Sequence, residues 1–172
     1  LSSCASRQLD LVTFRRTVIP VQELLDAAGK YFKKLMKNRP ERIELEIESM
    51  EAKVIGDVNQ LRFLLENLID EALTVREDGV IRLQARKDNE YIRFLFTDTR
   101  REKSVEELNQ LFYPNLARMT SGEKGELRGT EYLVCKQIIR DHDEFAGRRG
   151  CRINAEPAEG GGFTVYFTIP RR

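Results

Sequence analysis

Four polar residues in the middle of the sequence have the types and spacing that a binding site needs. Asn67 and Glu71 are one helical turn apart and therefore neighbours, and Asp70 lies beside them. Asp98 continues the inward period of an alternating apolar run, so its carboxylate is aimed at the interior and needs a partner. These side chains could form the wall of a polar site. They could equally be a solvated helix surface and an aspartate that caps a turn before Thr99.

The helix that carries three of these residues is the clearest element of the sequence. Asp57 suits its N-cap, and Gln60 is placed to reach back to it, as in a capping box. We expect Asn67, Asp70 and Glu71 on the outer face of this helix. The opposite face is a broad apolar stripe at helical spacing, which predicts packing against a sheet: Val58, Leu61, Leu64, Leu65, Leu68, Ile69, Ala72 and Leu73.

Alternating apolar and polar residues predict the strands of that sheet. Turn sequences at 78–79 and 88–89 separate some of these strands, and helical patterns occur at 21–37, 104–112 and 130–141. This order predicts an α/β (α+β) fold, a two-layer sandwich in which helices pack on one face of a mixed, largely antiparallel sheet. The strand-like runs are 43–48, 81–86, 91–98, 151–156 and 162–170.

The composition excludes several classes of protein. Lys and Arg (29) nearly balance Asp and Glu (28), so no global field recruits nucleic acid or an anionic membrane. No apolar run is long enough to insert into a membrane. Three widely spaced cysteines fit neither a disulfide framework nor a zinc site, and they indicate a cytoplasmic domain. We expect residues 1–12 to be the end of an upstream segment or linker, and residues 13–172 to form one domain.

Two further residues have reactive side chains. Cys135 lies within an apolar helical pattern, and we expect it to be buried. His142 is the only histidine, and it falls near the end of the last predicted helix. Because the helix dipole favours histidine there, we expect a structural role for His142 rather than a phospho-accepting one.

The order of the elements and five short motifs resemble the ATP-binding (catalytic) domain of sensor histidine kinases. This domain belongs to the GHKL ATPase superfamily with its Bergerat-type fold, and the resemblance covers residues 14–170. ENLIDEAL lies where the family has a helix with paired asparagines, and TDTRREKS lies where it has an Asp-x-Gly-x-Gly loop. LFYPN matches the Phe-containing segment that follows. GTEYLVCKQIIRDH occupies the place of the second glycine motif and its helix, and GGGFTVYFTIP matches the closing hairpin.

The resemblance implies a site for ATP and Mg²⁺. Asp98 would accept a hydrogen bond from the adenine amino group. Asn67 and Glu71 would hold Mg²⁺, since hard cations take carboxylate ligands. The implied partners are other segments of the same signalling protein or a response-regulator-type protein. The resemblance assigns to the nucleotide site Asn67, Asp70, Glu71, Asp98, Thr99, Gly129 and Thr130, and to the nucleotide lid Arg118, Lys124 and Arg128.

The sequence departs from the family pattern where the nucleotide would bind. Arg100 and Glu102 replace glycines in the loop after Asp98, although backbone that wraps a phosphate or base usually needs glycine. Glu131 stands at the helix N-terminus that the phosphates would use, and we expect it to obstruct binding most. These three residues favour a degenerate domain, a pseudokinase that acts as a regulatory or interaction module with weak or no ATP turnover. The retained Asp98 and Asn67 leave open the alternative, an active, divergent domain that phosphorylates a histidine on another segment or chain.

Overall fold

The computed structural model describes residues 13–114, 130–146 and 150–172. Among these residues no helix combines the length and the apolar character needed to cross a membrane. The elements follow in the order β1 (Thr17–Pro20), α1 (Val21–Met36), β2 (Ile43–Ile47), β3 (Lys53–Gly56), α2 (Val58–Ala72), β4 (Gly79–Asp88), β5 (Tyr91–Asp98), α3 (Val105–Asn109), α4 (Glu131–Phe145), β6 (Ile153–Pro157) and β7 (Phe163–Pro170).

The main sheet has five strands in the order β2-β4-β5-β7-β6. Strands β2 and β4 are parallel, and every other neighbouring pair is antiparallel. The prediction of a mixed, largely antiparallel sheet is therefore confirmed. The sequence prediction missed β3, which pairs with β1 in a separate two-stranded sheet. With four residues, β3 is too short to show an alternating pattern.

The helices and the main sheet share one apolar core on a single face of the sheet. Inward residues of β4 and β5, such as Leu83 and Phe94, lie in the same buried cluster as the stripe of α2. Phe94 and Phe167 stack across β5 and β7 with their ring centroids 4.8 Å apart. The other face carries charge pairs between β2 and β4, Glu46–Arg82 and Glu48–Arg86.

The ends of three helices have identifiable causes, and two of them, those of α3 and α4, differ from the prediction. Helix α2 ends at Ala72, because the chain turns there. The backbone N–H groups of Leu73 and Thr74 donate to the carbonyls of Ile69 and Glu71. Helix α3 stops at Asn109, which leaves Phe112 free to pack edge-on against Tyr132 at 5.6 Å. Helix α4 continues to Phe145, since its last turn is buried around His142 and Ala146.

Several sequence predictions fall outside the residues that the structure describes. They are the upstream segment 1–12, the site residue Gly129 and the lid residues Arg118, Lys124 and Arg128.

Candidate functional site

Asp98 lies at the end of β5, in the middle of the main sheet. It is paired in register with Ile81 of β4 on one side and Phe163 of β7 on the other, and it is buried. Gly162 holds the two strands close together. Its φ of 85° is a left-handed conformation, and a Cβ there would overlap the carbonyl oxygen of Asp98. The sheet therefore fixes the carboxylate of Asp98 at the interior end of β5, as the alternation predicted.

The partner that this buried carboxylate needs is Arg100. The guanidinium group meets the carboxylate of Asp98 with two parallel bonds, Nε to Oδ1 at 2.9 Å and Nη2 to Oδ2 at 2.9 Å. The backbone N–H of Arg100 also donates to Oδ1 at 3.0 Å. Only 1% of the Arg100 side chain is exposed. This is the bidentate geometry in which a charge-assisted pair is strongest, and here it is buried.

The remaining donors of Arg100 are also used. Nη1 donates to the carbonyl oxygens of Val75 at 2.9 Å and Glu77 at 3.0 Å, and Nη2 donates to that of Ala72 at 2.6 Å. These carbonyls lie at the end of α2 and in the turn after it, where a cation is favoured by the helix dipole. A guanidinium group has five N–H donors, and all five are engaged. Arg100 therefore joins the end of β5 to the end of α2. We call its bonds to Asp98 and to the three carbonyls the Arg100 clamp.

The aliphatic part of Arg100 fits against the start of β4. Its Cγ would lie 2.6 Å from a Cβ at Gly79, whose φ of 144° is also in the left-handed region. A side chain at position 79 would therefore push the guanidinium away from Asp98. The contact between Arg100 and Asp98 therefore depends on Gly79, which the sequence analysis assigned only to the turn at 78–79.

A small cavity of about 50 Å³ lies beside the clamp. It has room for a few water molecules, and it is much smaller than the 300–1,000 Å³ of a usual ligand site. Lys103 stands over the ring of Phe163 at one wall, with its Nζ 5.4 Å from the ring centroid. Most of the lining is apolar, and the rest is one threonine and four charged residues: Leu68, Ala72, Val75, Phe96, Tyr132, Phe163 and Val165, with Thr74, Glu71, Asp98, Arg101 and Lys103.

The structure brings only some of the predicted site residues to this cavity. Glu71 and Asp98 both line it, whereas Asn67 and Asp70 do not. The expectation that Asn67 lies on an outer face is wrong, because it is only 7% exposed and its amide donates to the carbonyl of Phe63 at 2.7 Å. Asp70 accepts a 2.6 Å hydrogen bond from the hydroxyl of Tyr31 and so faces α1.

The two threonines in the predicted site have structural contacts. Thr99 extends the pairing of β5 with β4, because its amide and its hydroxyl both donate to the carbonyl of Val80. Thr130 is the N-cap residue of α4, but its side chain makes no capping hydrogen bond.

Glu131, the first residue of α4, is half-buried. Its Oε2 atom is buried without a hydrogen-bond partner among the described residues. Burial raises the pKa of the Cys135 thiol one turn further on, and the charges of Glu131 and Glu71 raise it further. The carboxylates of Glu131 and Glu71 therefore both raise the pKa of one thiol, which lies between α2 and α4. Within ranges 13–114, 130–146 and 150–172, no cluster of three or more His, Cys, Asp or Glu side chains could hold a metal ion.

Glu102 is exposed, in contrast to Arg100 and Glu131. Its carboxylate lies toward the turn before β7, where Oε1 would be 3.7 Å from a Cβ on Gly161. Of the three residues predicted to block the site, Arg100 alone has its charged group in contact with Asp98.

His142 has the expected structural role, but the reason given for it was wrong. The residue is buried, and burial lowers its pKa, so the neutral ring is favoured rather than a cation at a helix end. Its Nε2 accepts a hydrogen bond from the backbone N–H of Asp57 at 3.0 Å, and its Nδ1 is 2.8 Å from the carbonyl of Ile138. His142 thus takes the amide that Gln60 would have bound in a capping box.

The fold and this site together define the class of protein. The chain belongs to the family of histidine kinase-, DNA gyrase B- and HSP90-like ATPases, whose family model matches residues 56–172. This confirms the resemblance to the ATP-binding domain of sensor histidine kinases. No curated protein sequence matches the chain.

Solved structures of histidine kinases share the fold. The mycobacterial sensor histidine kinase MprB is 18% identical with a TM-score of 0.70, over 92% of this chain and 99% of that one. The catalytic domain of the histidine kinase ThkA is 21% identical with a TM-score of 0.69, over 91% and 97%. ThkA in complex with the response regulator protein TrrA is 18% identical with a TM-score of 0.69, over 99% of this chain and 49% of that one.

Proposed function

We propose that this domain is a degenerate member of its family, which works as a regulatory or interaction module and turns over little or no ATP. The observation that carries the proposal is the Arg100 clamp. In the family resemblance, the Asp98 carboxylate is the acceptor for the adenine amino group. Here both of its oxygens are already bonded to Arg100, in the same chain and two residues away.

The residues in this arrangement do not fit an adenine base. The cavity beside Asp98 is about 50 Å³, so a base would have to displace the guanidinium. Removing one partner of a buried ion pair costs about 3–5 kcal/mol, because the other charge is left uncompensated. An adenine amino group would restore one of the lost hydrogen bonds. A cost of about 3–5 kcal/mol corresponds to an affinity roughly two to four orders of magnitude weaker, and the restored hydrogen bond moves this toward the lower end.

Glu131 would act in the same direction at the phosphate end. A helix N-terminus is favourable for phosphate, but a carboxylate in the first turn of α4 places negative charge there. Two unit charges at about 4 Å repel by roughly 4 kcal/mol at an effective dielectric near 20, before screening by solvent. The clamp and Glu131 together support an affinity for ATP no better than about 1 mM.

The role that remains is interaction within a two-component signalling protein. The ThkA structure that shares this fold is in complex with a response regulator protein. We infer that the partners here are of the same kinds, either other segments of the same signalling protein or a response-regulator-type protein. Such a domain would act in the cytoplasm, where response regulators meet their kinases.

A second candidate function is an active, divergent ATP-binding domain that phosphorylates a histidine elsewhere. The observation in its favour is that Glu71 and Asp98 line one cavity, because a carboxylate can serve as a Mg²⁺ ligand there. This function requires the guanidinium of Arg100 to leave Asp98 when nucleotide binds. The second candidate function therefore predicts that the unchanged protein binds ATP in a Mg²⁺-dependent manner.

Calorimetric titration with ATP, with and without Mg²⁺, separates the two functions. The unchanged protein should bind no more tightly than about 1 mM, or about −4 kcal/mol. Arg100→Gly should bind at least about tenfold more tightly, provided that circular dichroism shows a folded domain. Arg76→Gly is the matched control, because it makes the same change at a residue that is 65% exposed and does not line the cavity.

Two results would contradict the proposal. A tight, Mg²⁺-dependent complex of the unchanged protein would establish the active alternative. If folded Arg100→Gly bound ATP no better than the unchanged protein, the clamp would not be what closes the site. Glu131→Gly tests the phosphate end separately, and we now expect its gain to be smaller than that of Arg100→Gly.

A further inference from the structure

A second and larger concave surface lies at the other end of the main sheet. Its volume is about 390 Å³, within the usual range for ligand sites. Asp98 pairs with Ile81 near the start of β4, whereas Lys87 of this surface lies near the end of the same strand. At about 3.3 Å per residue, the two ends are roughly 20 Å apart. We call this surface the cationic cleft, after Lys53, Lys87, Arg171 and Arg172 in its lining.

The four cations of the cationic cleft stand on fixed backbone. Lys53 begins β3, and its carbonyl accepts the backbone N–H of Arg172 at 3.0 Å. Arg171 bridges to Val54, and its own N–H donates to the carbonyl of Glu90 at 2.9 Å. Lys87 is held in β4. Because these backbones are already ordered, a ligand would have to immobilise only the side chains.

Lys87 reaches the cationic cleft because of its position in the strand alternation. Alternate side chains of a strand point to the same face, and Ile81, Leu83 and Ala85 point into the core on the helical face of the sheet. Lys87 is the next residue in that series, and it is exposed beyond the end of the core. Its ammonium group therefore lies on the helical side of the sheet.

The charges of the cationic cleft are not neutralised within the described part of the chain. None of its four cations forms an ion pair there, although Arg82, Arg86 and Arg93 of the same sheet each do. Among the residues that the structure describes, Glu51 is the one acidic side chain in the lining. The cationic cleft therefore has a local excess of positive charge in a chain whose formal net charge is only +1.

The floor of the cationic cleft is apolar and held in place. Pro20, Met50 and Ala52 contribute to it. The backbone N–H of Val21 donates to the carbonyl of Ala52 at 2.9 Å, and that of Met50 donates to the side-chain oxygen of Gln22 at 3.1 Å. A ligand that matches this surface has an apolar group in the middle and negative charges on either side.

We propose that the cationic cleft binds an acidic peptide segment of a partner protein, with an apolar side chain on the floor and flanking carboxylates paired with the four cations. A single-stranded nucleic acid is a poorer match, because no aromatic side chain of the described residues lines the cationic cleft for bases to stack on. A membrane surface is a poorer match because the site is concave. This proposal is independent of nucleotide binding, since the residues concerned lie at the opposite end of the sheet from Asp98.

Fluorescence anisotropy with the full chain tests the proposal. The probe is a fluorescein-labelled peptide, Asp-Glu-Leu-Glu-Asp, and its neutral counterpart is Asn-Gln-Leu-Gln-Asn. The acidic peptide should bind more tightly, and its affinity should fall as salt is raised. Lys53→Gln/Lys87→Gln should weaken binding by about two- to thirtyfold, the range for loss of two exposed ion pairs.

The matched control is Lys33→Gln/Lys34→Gln, which removes the same charge from exposed positions of α1. It should bind the acidic peptide as the unchanged protein does. Equal binding of the two peptides, or equal losses in the two variants, would overturn the proposal. So would tighter binding of a single-stranded oligonucleotide or of phosphatidylserine vesicles that is lost in Lys53→Gln/Lys87→Gln. Peptide binding should be unchanged in Arg100→Gly that circular dichroism shows to be folded, which separates this test from that of the proposed function.

Discussion

Replacing Arg100 by alanine should destabilise the domain more than a change at any exposed arginine. The substitution leaves the buried carboxylate of Asp98 without its cation and removes donors from three carbonyls at the end of α2. Val75 is partly exposed and Glu77 is exposed, so their carbonyls can bond to water instead at little cost. Most of the loss should therefore come from Asp98.

The magnitude follows from the burial of the pair. Removing one partner of a buried ion pair costs about 3–5 kcal/mol. With a denaturant slope near 2 kcal/mol per molar urea, the unfolding midpoint should fall by about 1.5–2.5 M. For a domain of this size the melting temperature should fall by roughly 6–20 °C. A loss this large could consume much of the usual 5–15 kcal/mol stability, so the measurements should start at low temperature.

The assay is urea unfolding of Arg100→Ala, followed by circular dichroism, with Arg101→Ala as the control. Arg101 pairs with Glu77, but both side chains are largely exposed, so this variant should unfold close to the unchanged protein. Asp98→Asn and the double variant complete a thermodynamic cycle. The double variant should lose less stability than the two single losses added together. If Arg100→Ala stays within about 1 kcal/mol of the unchanged protein, or if the cycle shows no coupling, the clamp does not hold the structure as argued.

Two further predictions test the core and its one histidine. Leu68→Ala should cost about 2–5 kcal/mol, because Leu68 is buried in the middle of the α2 stripe, and an unchanged melting temperature would contradict that packing. Burial lowers the folded-state pKa of His142, so its contribution to stability is complete above the unfolded pKa of about 6.5 and is lost as the pH falls below it. The loss should be at most about 1.4 kcal/mol per pH unit, and His142→Gln, which can still accept the N–H of Asp57, should show a flatter pH profile in urea unfolding.

The parts of the fold that could be predicted are those with a long periodic pattern. The α2 stripe and the alternation of β4, β5 and β7 each repeat over many residues, and all were found within a few residues of their bounds. β3 was missed because it has four residues, and its partners among the described residues are β1 and Arg171, which directly follows β7. Its identity as a strand depends on contacts that are distant in the sequence, and no local pattern records them.

The candidate site was harder to predict than the fold. Asp98 was placed correctly in the interior, and the need for a partner followed from its burial. The partner could have been suggested by spacing, because residues two apart in an extended chain point to the same side. Reading Arg100 only as a missing glycine hid this signal. The positions of Asn67 and Asp70 depend on how α2 is rotated against α1, as the bond between Tyr31 and Asp70 shows, and one helix pattern does not fix that angle.

The clamp also determines how the domain can respond to nucleotide. A ligand that binds the folded state stabilises it by an amount that grows with the ligand concentration, so a nucleotide-filled domain is sensitive to ATP. Arg100 makes the same kind of contact with Asp98 from within the chain, so this contact does not depend on any ligand concentration. Under the proposed function, the end of β5 and the end of α2 stay joined whether or not ATP is present. Under the proposed function, any signal must then enter through contacts with a partner, and a surface with fixed backbone and unneutralised charge, such as the cationic cleft, suits such a contact.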